Sequence, residues 1–393
     1  MIKKVDSLKL REYGVYNESL FDKWNDLLTQ NASMNLPITI VTALNNNDTS
    51  KRLIEILKIN PNEVMEGMLI TAHALDAKEM HLYIPEEETQ LLEQISDLAK
   101  DKKITLIAKN FVNRRNYTAT VFHHIETMAV LAEAFTENYT PGVFVAIQKD
   151  GNIGELKKIP YGTKVSELID VKSEDIKGIE IASKLYDSSA LDFVIDKKLP
   201  MGNGIIRLFD KSICMIDETE KKLLNNRALG CGKCTFCREG LLQLHTHIKD
   251  VTKGKGRAEY LSLVSEIGEA MSYSTLCSIG QTGAHFLLGS IKYFSLEYEE
   301  HIKKKNCSTG VCSAFVPIYI DPELCTGCEE CVDVCPENCI EGKSGYIHMI
   351  DEFECTKCGK CIEVCEEQAI IKTSGRVPKL PDRLTKCGKF KKR

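Results

Sequence analysis

Cysteine carries most of the chemistry in this chain: there are seventeen, and none precedes Cys214. Eight form two matching runs, Cys325-x2-Cys328-x2-Cys331-x3-Cys335-Pro336 and Cys355-x2-Cys358-x2-Cys361-x3-Cys365. Three thiolates at two-residue spacing wrap one loop of backbone around an iron–sulfur cube and reach three of its irons. In tandem runs of this kind the fourth cysteine serves the other cube. Cys325, Cys328, Cys331 and Cys365 are therefore expected on one [4Fe–4S] cluster, and Cys355, Cys358, Cys361 and Cys335 on a second. Zinc also binds CxxC pairs, but two complete four-cysteine runs in tandem favour the clusters. Glu366 stands where a second proline is usual, a change that leaves the ligands untouched.

A third set lies upstream in Gly230-Cys231-Gly232-Lys233-Cys234-Thr235-Phe236-Cys237-Arg238, with Cys277 forty residues beyond Cys237. Three close thiolates at a helix start and one distant thiolate make a four-cysteine site. Gly232 allows the backbone to fold close around a cube, and the amides opening the next helix favour a net-negative group. Spacing alone leaves a [4Fe–4S] cluster and a four-thiolate zinc ion both open here.

Cys214, Cys307, Cys312, Cys339 and Cys387 remain. Cys214 sits in an apolar, strand-like context and reads as a buried structural thiol. His301-x5-Cys307-x4-Cys312 falls in a connector, where one imidazole and two thiolates suit a tetrahedral zinc site that staples its neighbours. Its expected fourth ligand is Cys339, with Cys387 as the alternative; the competing reading is free thiols in a tight connector. His245 and His247 read as surface or outer-sphere residues of a polar helix, and His123 and His124 as packing residues. No catalytic acid–base pair stands out, and 86–88 reads as a solvated helix start.

The elements that must position these groups follow an α+β, multidomain order. Residues 1–140 show short apolar strand runs at 38–43, 80–84 and 104–108 and a helix over 62–75, an α/β pattern. Residues 141–215 carry strands at 143–147, 179–182 and 205–208 and a short helix at 163–169 with Thr163 as N-cap, which suits a small β-grasp unit. Helical spacing over 216–305, with a polar break at 252–257, predicts a bundle. A connector at 306–320 leads to a compact, cysteine-dense, ferredoxin-like two-cluster module over 321–374 and then a basic tail, 375–393. From 376 onward the tail holds eight Lys/Arg against one acid, Asp382. It reads as a solvated end or as a dock for an acidic partner.

Composition sets the boundaries. With 51 basic and 56 acidic residues the net charge is −5, which does not point to nucleic acid or an anionic membrane as the main partner. No apolar leader or membrane-length run is visible, so a cytoplasmic, reducing setting is expected, in which cysteines bind metals rather than pair.

Cys231–Gly240 together with 275–280 resembles the CGxCxxCRxG iron–sulfur domain of the NADH-oxidising flavoprotein subunit of respiratory complex I. It is equally similar to the related subunits of NAD-dependent [FeFe]-hydrogenases and formate dehydrogenases. Phe236 replaces the usual proline. The stretches 66–70, 74–77, 82–84 and 121–127 resemble parts of that family's flavin domain, and the β-grasp unit, which is SLBB-like, falls where the family keeps one. The appended ferredoxin module and the cysteine-pair connector resemble the hydrogenase-type subunits. The resemblance implies a [4Fe–4S] cluster on Cys231, Cys234, Cys237 and Cys277, three clusters in all, and an NADH dehydrogenase-like complex.

The family grips FMN and NADH with glycine-rich loops, since glycine lets backbone amides approach phosphate closely. Here only Gly14 and Gly67 precede Gly142. A degenerate flavin domain without FMN is therefore expected, and without a two-electron centre no hydride transfer from NADH. The expected function is a subunit, not catalytic alone, that relays single electrons to or from a flavoprotein NAD(P)H oxidoreductase subunit or a ferredoxin within a hetero-oligomer. Two alternatives stand beside it: an NADH dehydrogenase subunit that still binds FMN, and a non-redox iron–sulfur scaffold.

Overall fold

The computed structural model describes residues 1–137, 139–170, 173–352, 354–373 and 377–390. The chain divides into two compact units. One comprises Met1–Lys211, Lys221–His245 and Ser262–Phe294; the other comprises Ser212–Glu220, Thr246–Leu261 and Ser295–Arg393.

In the first unit the β-branched run 38–43 becomes the strand Thr39–Ala43, the centre of a four-stranded parallel sheet. Glu79–Ile84 and Thr105–Ala108 add on one side of it, and Thr120–His124 returns on the other. The order therefore reverses between Thr39–Ala43 and Thr120–His124. Helices cover the sheet. Leu20–Met34 starts on Ser19, whose hydroxyl accepts from Asp22 N at 3.3 Å, and stops at Asn35 in the left-handed region. Pro61–Leu75 starts on proline, whose missing N–H costs nothing there. It packs on Ile125–Ala134 so closely that a Cβ on Gly67 would lie 2.0 Å from the Met128 carbonyl oxygen. Trp24, Leu57, Met65, Met68 and Leu82 fill the core between helices and sheet.

The same unit holds a second, mixed sheet. Gly142–Lys149 and Ile205–Asp210 run parallel, and Ile176–Ile181, Lys184–Asp187, Asn152–Ile153 and Lys157–Pro160 pair antiparallel to their neighbours. The expected helix at 163–169 is a single 3-10 turn, Val165–Leu168. Thr163 is not its cap, because its hydroxyl donates back to Pro160 O at 2.9 Å. The helical stretch is present as Met215–Leu229, Thr235–Thr252, Glu259–Ser274, Ser278–Tyr293 and Ser295–Lys303, with the break after Thr252 as expected.

The second unit contains a repeat whose halves are offset by thirty residues, from Cys325 to Cys355. Helix Glu330–Asp333 follows Glu329 at φ 74°, and Lys360–Val364 follows Gly359 at φ 84°. Ile318–Ile320 pairs with Ile370–Lys372, and Ile340–Glu341 with Met349–Ile350. The basic tail is not wholly free. Thr385 O accepts from Ile347 N, and Cys387 N donates to Gly345 O at 3.1 Å, laying 385–387 along 345–347. Residues 375–376 and 391–393 of that tail lie outside the described residues. Among the described residues no helix is long and apolar enough to cross a membrane.

Candidate functional site

Four thiols meet in the first unit. Gly232, at φ 72°, turns the loop that carries Cys231 and Cys234 into helix Thr235–Thr252, whose first turn bears Cys237. The Arg238 guanidinium donates to Gly232 O at 3.0 Å and holds that loop. Cys277 caps helix Ser278–Tyr293 from an extended backbone. The start of that helix is tied down by buried Asn226, which donates to Ile279 O at 2.6 Å and Thr282 Oγ1 at 3.0 Å. Burial and then the neighbouring Cys277, Cys234 and Cys231 push the Cys237 thiol up to about 12. Four convergent cysteines are a donor set suited to a positive centre. Cations are at hand: Arg115 Nη2 lies 3.6 Å from Cys234 Sγ, and while burial pushes the Cys277 thiol up, the Ile279 amide and the Arg114 charge work against it.

Beside this group lies the crevice at the carboxyl ends of the parallel strands, where the strand order reverses. Open α/β sheets bind ligands at such a place. Here the chain's own segment enters it. Residues 10–20 form a tight loop, with Glu12 N donating to Glu18 O at 2.7 Å and Leu20 N to Leu10 O at 3.1 Å. Glu12 is buried and accepts from His124 N at 2.8 Å and Thr127 Oγ1 at 2.6 Å. His123 Nδ1 donates to Glu12 Oε2 at 2.6 Å, while its Nε2 accepts from Trp24 Nε1 at 3.1 Å. Burial opposes the charge on Glu12, but Lys23, His123 and Thr127 hold its carboxyl below the usual range. The cavity left among Tyr16, Ala43, Asn45, Arg114, His124 and Ser278 measures about 40 Å³. That is room for a water molecule or so. None of the residues that line it is glycine.

In the second unit Cys335 of the first run joins cysteines of the second. Cys335, Cys355, Cys358 and Cys361 line one cavity, and Cys339 lines it too. Around Cys361 burial is the main influence, followed by the charges of Cys355, Cys358 and Cys335 among its neighbours. Burial and then Cys325 and Cys328 push the Cys331 thiol up to about 12. Cys365 packs into the same small core as Cys325 and Cys331, and its Sγ accepts from Ala369 N at 3.3 Å. The donor sets thus fit iron–sulfur cubes by type.

The connector histidine and cysteines gather as well, with a different fourth partner from the expected one. Cys214 Sγ, His301 Nε2, Cys307 Sγ and Cys312 Sγ all lie within 4.8 Å of one another and are buried. Cys214 Sγ stands 3.5 Å from His301 Nε2 and 3.7 Å from Cys312 Sγ. A tetrahedral zinc with ordinary bond lengths requires edges of about 3.6 Å and 3.8 Å for those pairs. His301 Nδ1 donates to Glu297 O at 2.8 Å, which aims Nε2 at the thiols. Burial works against charge on His301, yet hydrogen bonds with Cys214 and Cys307 push it up to about 10. Contacts with Cys214 and Cys312 lower Cys307, and contacts with Cys214 and Cys307 raise Cys312. Three thiols and an imidazole at these distances form a donor set of the kind that binds a divalent cation, with release of protons.

Cys339, the expected fourth ligand, is instead 3.5 Å from Cys335 Sγ, and Cys387 sits against Cys325 and Cys328. Cys214 lies outside the strands, just before helix Met215–Leu229. Its role escaped the sequence because its partners begin 87 residues away, beyond any local spacing. His245 is buried rather than superficial, with Arg227 Nη1 2.6 Å from its Nδ1.

Residues 227–301 match the NADH-ubiquinone oxidoreductase-F iron-sulfur binding region, and residues 317–366 match the 4Fe-4S dicluster domain. The chain is 34% identical over 221 residues to the NADP-reducing hydrogenase subunit HndC of Solidesulfovibrio fructosivorans, covering 52% of this chain and 45% of that protein. It is 32% identical over 107 residues to the F subunit of NADH-quinone oxidoreductase from Streptomyces coelicolor, covering 27% and 24%. The chain thus spans less than half of each of these curated relatives. An NAD+-reducing [NiFe]-hydrogenase structure shares its fold at a TM-score of 0.63 and 17% identity, over 77% of this chain and 62% of that one.

Proposed function

Because the chain carries both iron–sulfur domains and is homologous to these two subunits, we propose that it is a cytoplasmic electron-transfer subunit. In this reading it relays single electrons to or from a partner flavoprotein within an NAD(P)H- or ferredoxin-linked complex. Three [4Fe–4S] clusters are assigned: to Cys231, Cys234, Cys237 and Cys277; to Cys325, Cys328, Cys331 and Cys365; and to Cys335, Cys355, Cys358 and Cys361. Each cluster, when bound, exchanges one electron at a potential tuned by hydrogen bonds and solvent.

The observation that carries this reading is the convergence of Cys277 on the Cys231–Cys237 loop inside the matched region. The polypeptide's part is to hold thiolates, to offset their charge with Arg114 and Arg115, and to shield them. Residues 1–140 are read as a flavoprotein-like scaffold, 141–215 as an SLBB-like β-grasp unit, 216–305 as the cluster-bearing bundle and 321–374 as the ferredoxin module. The filled crevice around Glu12 supports a flavin-free scaffold. The Cys214, His301, Cys307 and Cys312 group is assigned a structural zinc, which would tie the 306–320 connector to the start of helix Met215–Leu229.

Iron, acid-labile sulfide, zinc and flavin per chain, measured on anaerobically purified protein, test the assignment. About twelve irons and twelve sulfides, about one zinc and no flavin are expected. Stoichiometric FMN, or about eight irons with two zincs, would overturn it.

A further inference from the structure

Five thiols face the cavity of the second ferredoxin-type set, although a cube takes four. The surplus is Cys339, almost wholly buried, with its Sγ 3.5 Å from Cys335 Sγ. Of the two neighbouring sulfurs, a ligated thiolate carries no hydrogen, whereas an unligated cysteine keeps its S–H at neutral pH. The repeat supplies an internal contrast. Thirty residues on, Ala369 occupies the equivalent position beside Cys365, where a backbone N–H reaches the sulfur and the side chain offers nothing.

We propose that Cys339 is a positioning residue that donates an S–H hydrogen bond to the Cys335 sulfur and thereby raises the reduction potential of the cluster held by Cys335, Cys355, Cys358 and Cys361. The inference rests on the cluster assignment above. Reduction adds negative charge to the cube and its ligand sulfurs, so a donor aimed at one of them favours the reduced state. In a buried setting this effect is less diluted than in water. Two clusters with near-identical ligand spacing are thereby given different surroundings.

The test is an EPR-monitored redox titration of the full-length, cluster-loaded protein, with iron counted in each sample. Cys339→Ala keeps the wild-type iron and sulfide content but shifts one reduction equilibrium toward the oxidised form by about threefold at fixed potential. Cys339→Ser, which restores a donor of similar size, returns that equilibrium to the wild-type value or beyond. Loss of about four irons in Cys339→Ala would make Cys339 a ligand and overturn the proposal. Unmoved potentials in an iron-replete Cys339→Ala, or a Ser variant that behaves like Ala, would overturn it while leaving the cluster assignment standing. A wild-type protein without iron in this module would sink that assignment and this inference together.

Discussion

At the scale of single residues, the chemistry depends on which sulfur meets which. Cys214 is the residue whose role changes most between sequence and structure, and it carries a direct prediction. Cys214→Ser should remove the zinc proposed for this site and lower thermal stability, because His301, Cys307 and Cys312 are left one ligand short of a closed tetrahedron. Cys387→Ser should leave zinc content unchanged, since Cys387 sits against Cys325 instead. Zinc analysis of the two purified variants checks both. The difference between the twelve cysteines assigned to clusters in the proposed function and Cys214 is one of sequence range. The CxxCxxC runs declare themselves because a cube is wrapped by a few consecutive residues, whereas Cys214 meets His301 only through the path of intervening helices.

At the scale of elements, the tight crossing of Pro61–Leu75 on Ile125–Ala134 was invisible to periodicity, which reports a helix face but not how near its neighbour comes. Gly67 makes that approach possible. Gly67→Ala should therefore destabilise the first unit by about 2–4 kcal/mol, measured by denaturant unfolding, despite the better helix propensity of alanine.

The same helix pair contains a pH-sensitive group. Glu126 is buried, and its burial pushes it up to about 8 although Phe144 N donates to its carboxyl oxygen at 2.8 Å. Its folded pKa lies above its unfolded value of 4.5, so the folded state binds a proton that the unfolded state has released. The associated stability is full below pH 4.5 and is lost as pH rises through about 8. His124, held down to about 4 by burial, acts in the opposite sense and only as pH falls below its unfolded 6.5. Between pH 6.5 and 8 wild type should therefore lose stability relative to Glu126→Gln, which keeps the acceptor for Phe144 and cannot ionise. Thermal unfolding at both pH values measures it; parallel curves would contradict the assignment.

The strands were largely legible in the sequence: 38–43 and 80–84 reappear as Thr39–Ala43 and Glu79–Ile84, because short β-branched runs have little else to become. The plug around Glu12 was not, since nothing in the eleven-residue loop 10–20 announces that its carboxylate meets His123.

At the scale of the whole molecule, two kinds of scaffold serve one chemistry. The first unit presents a parallel sheet whose ligand crevice is filled from within, beside a four-thiol group. The second repeats a short cysteine-bearing motif around its own small core. In the function proposed above, both serve to hold one-electron centres, without a two-electron one. The most direct test of that claim is a stoichiometric reductive titration of the anaerobic protein, followed by optical and EPR spectroscopy. Uptake of about three electrons per chain, with no flavin bleaching and no reduction by NADH alone, is the predicted result. Uptake of about two further electrons with a flavin semiquinone signal, or reduction by NADH without a partner, would contradict it.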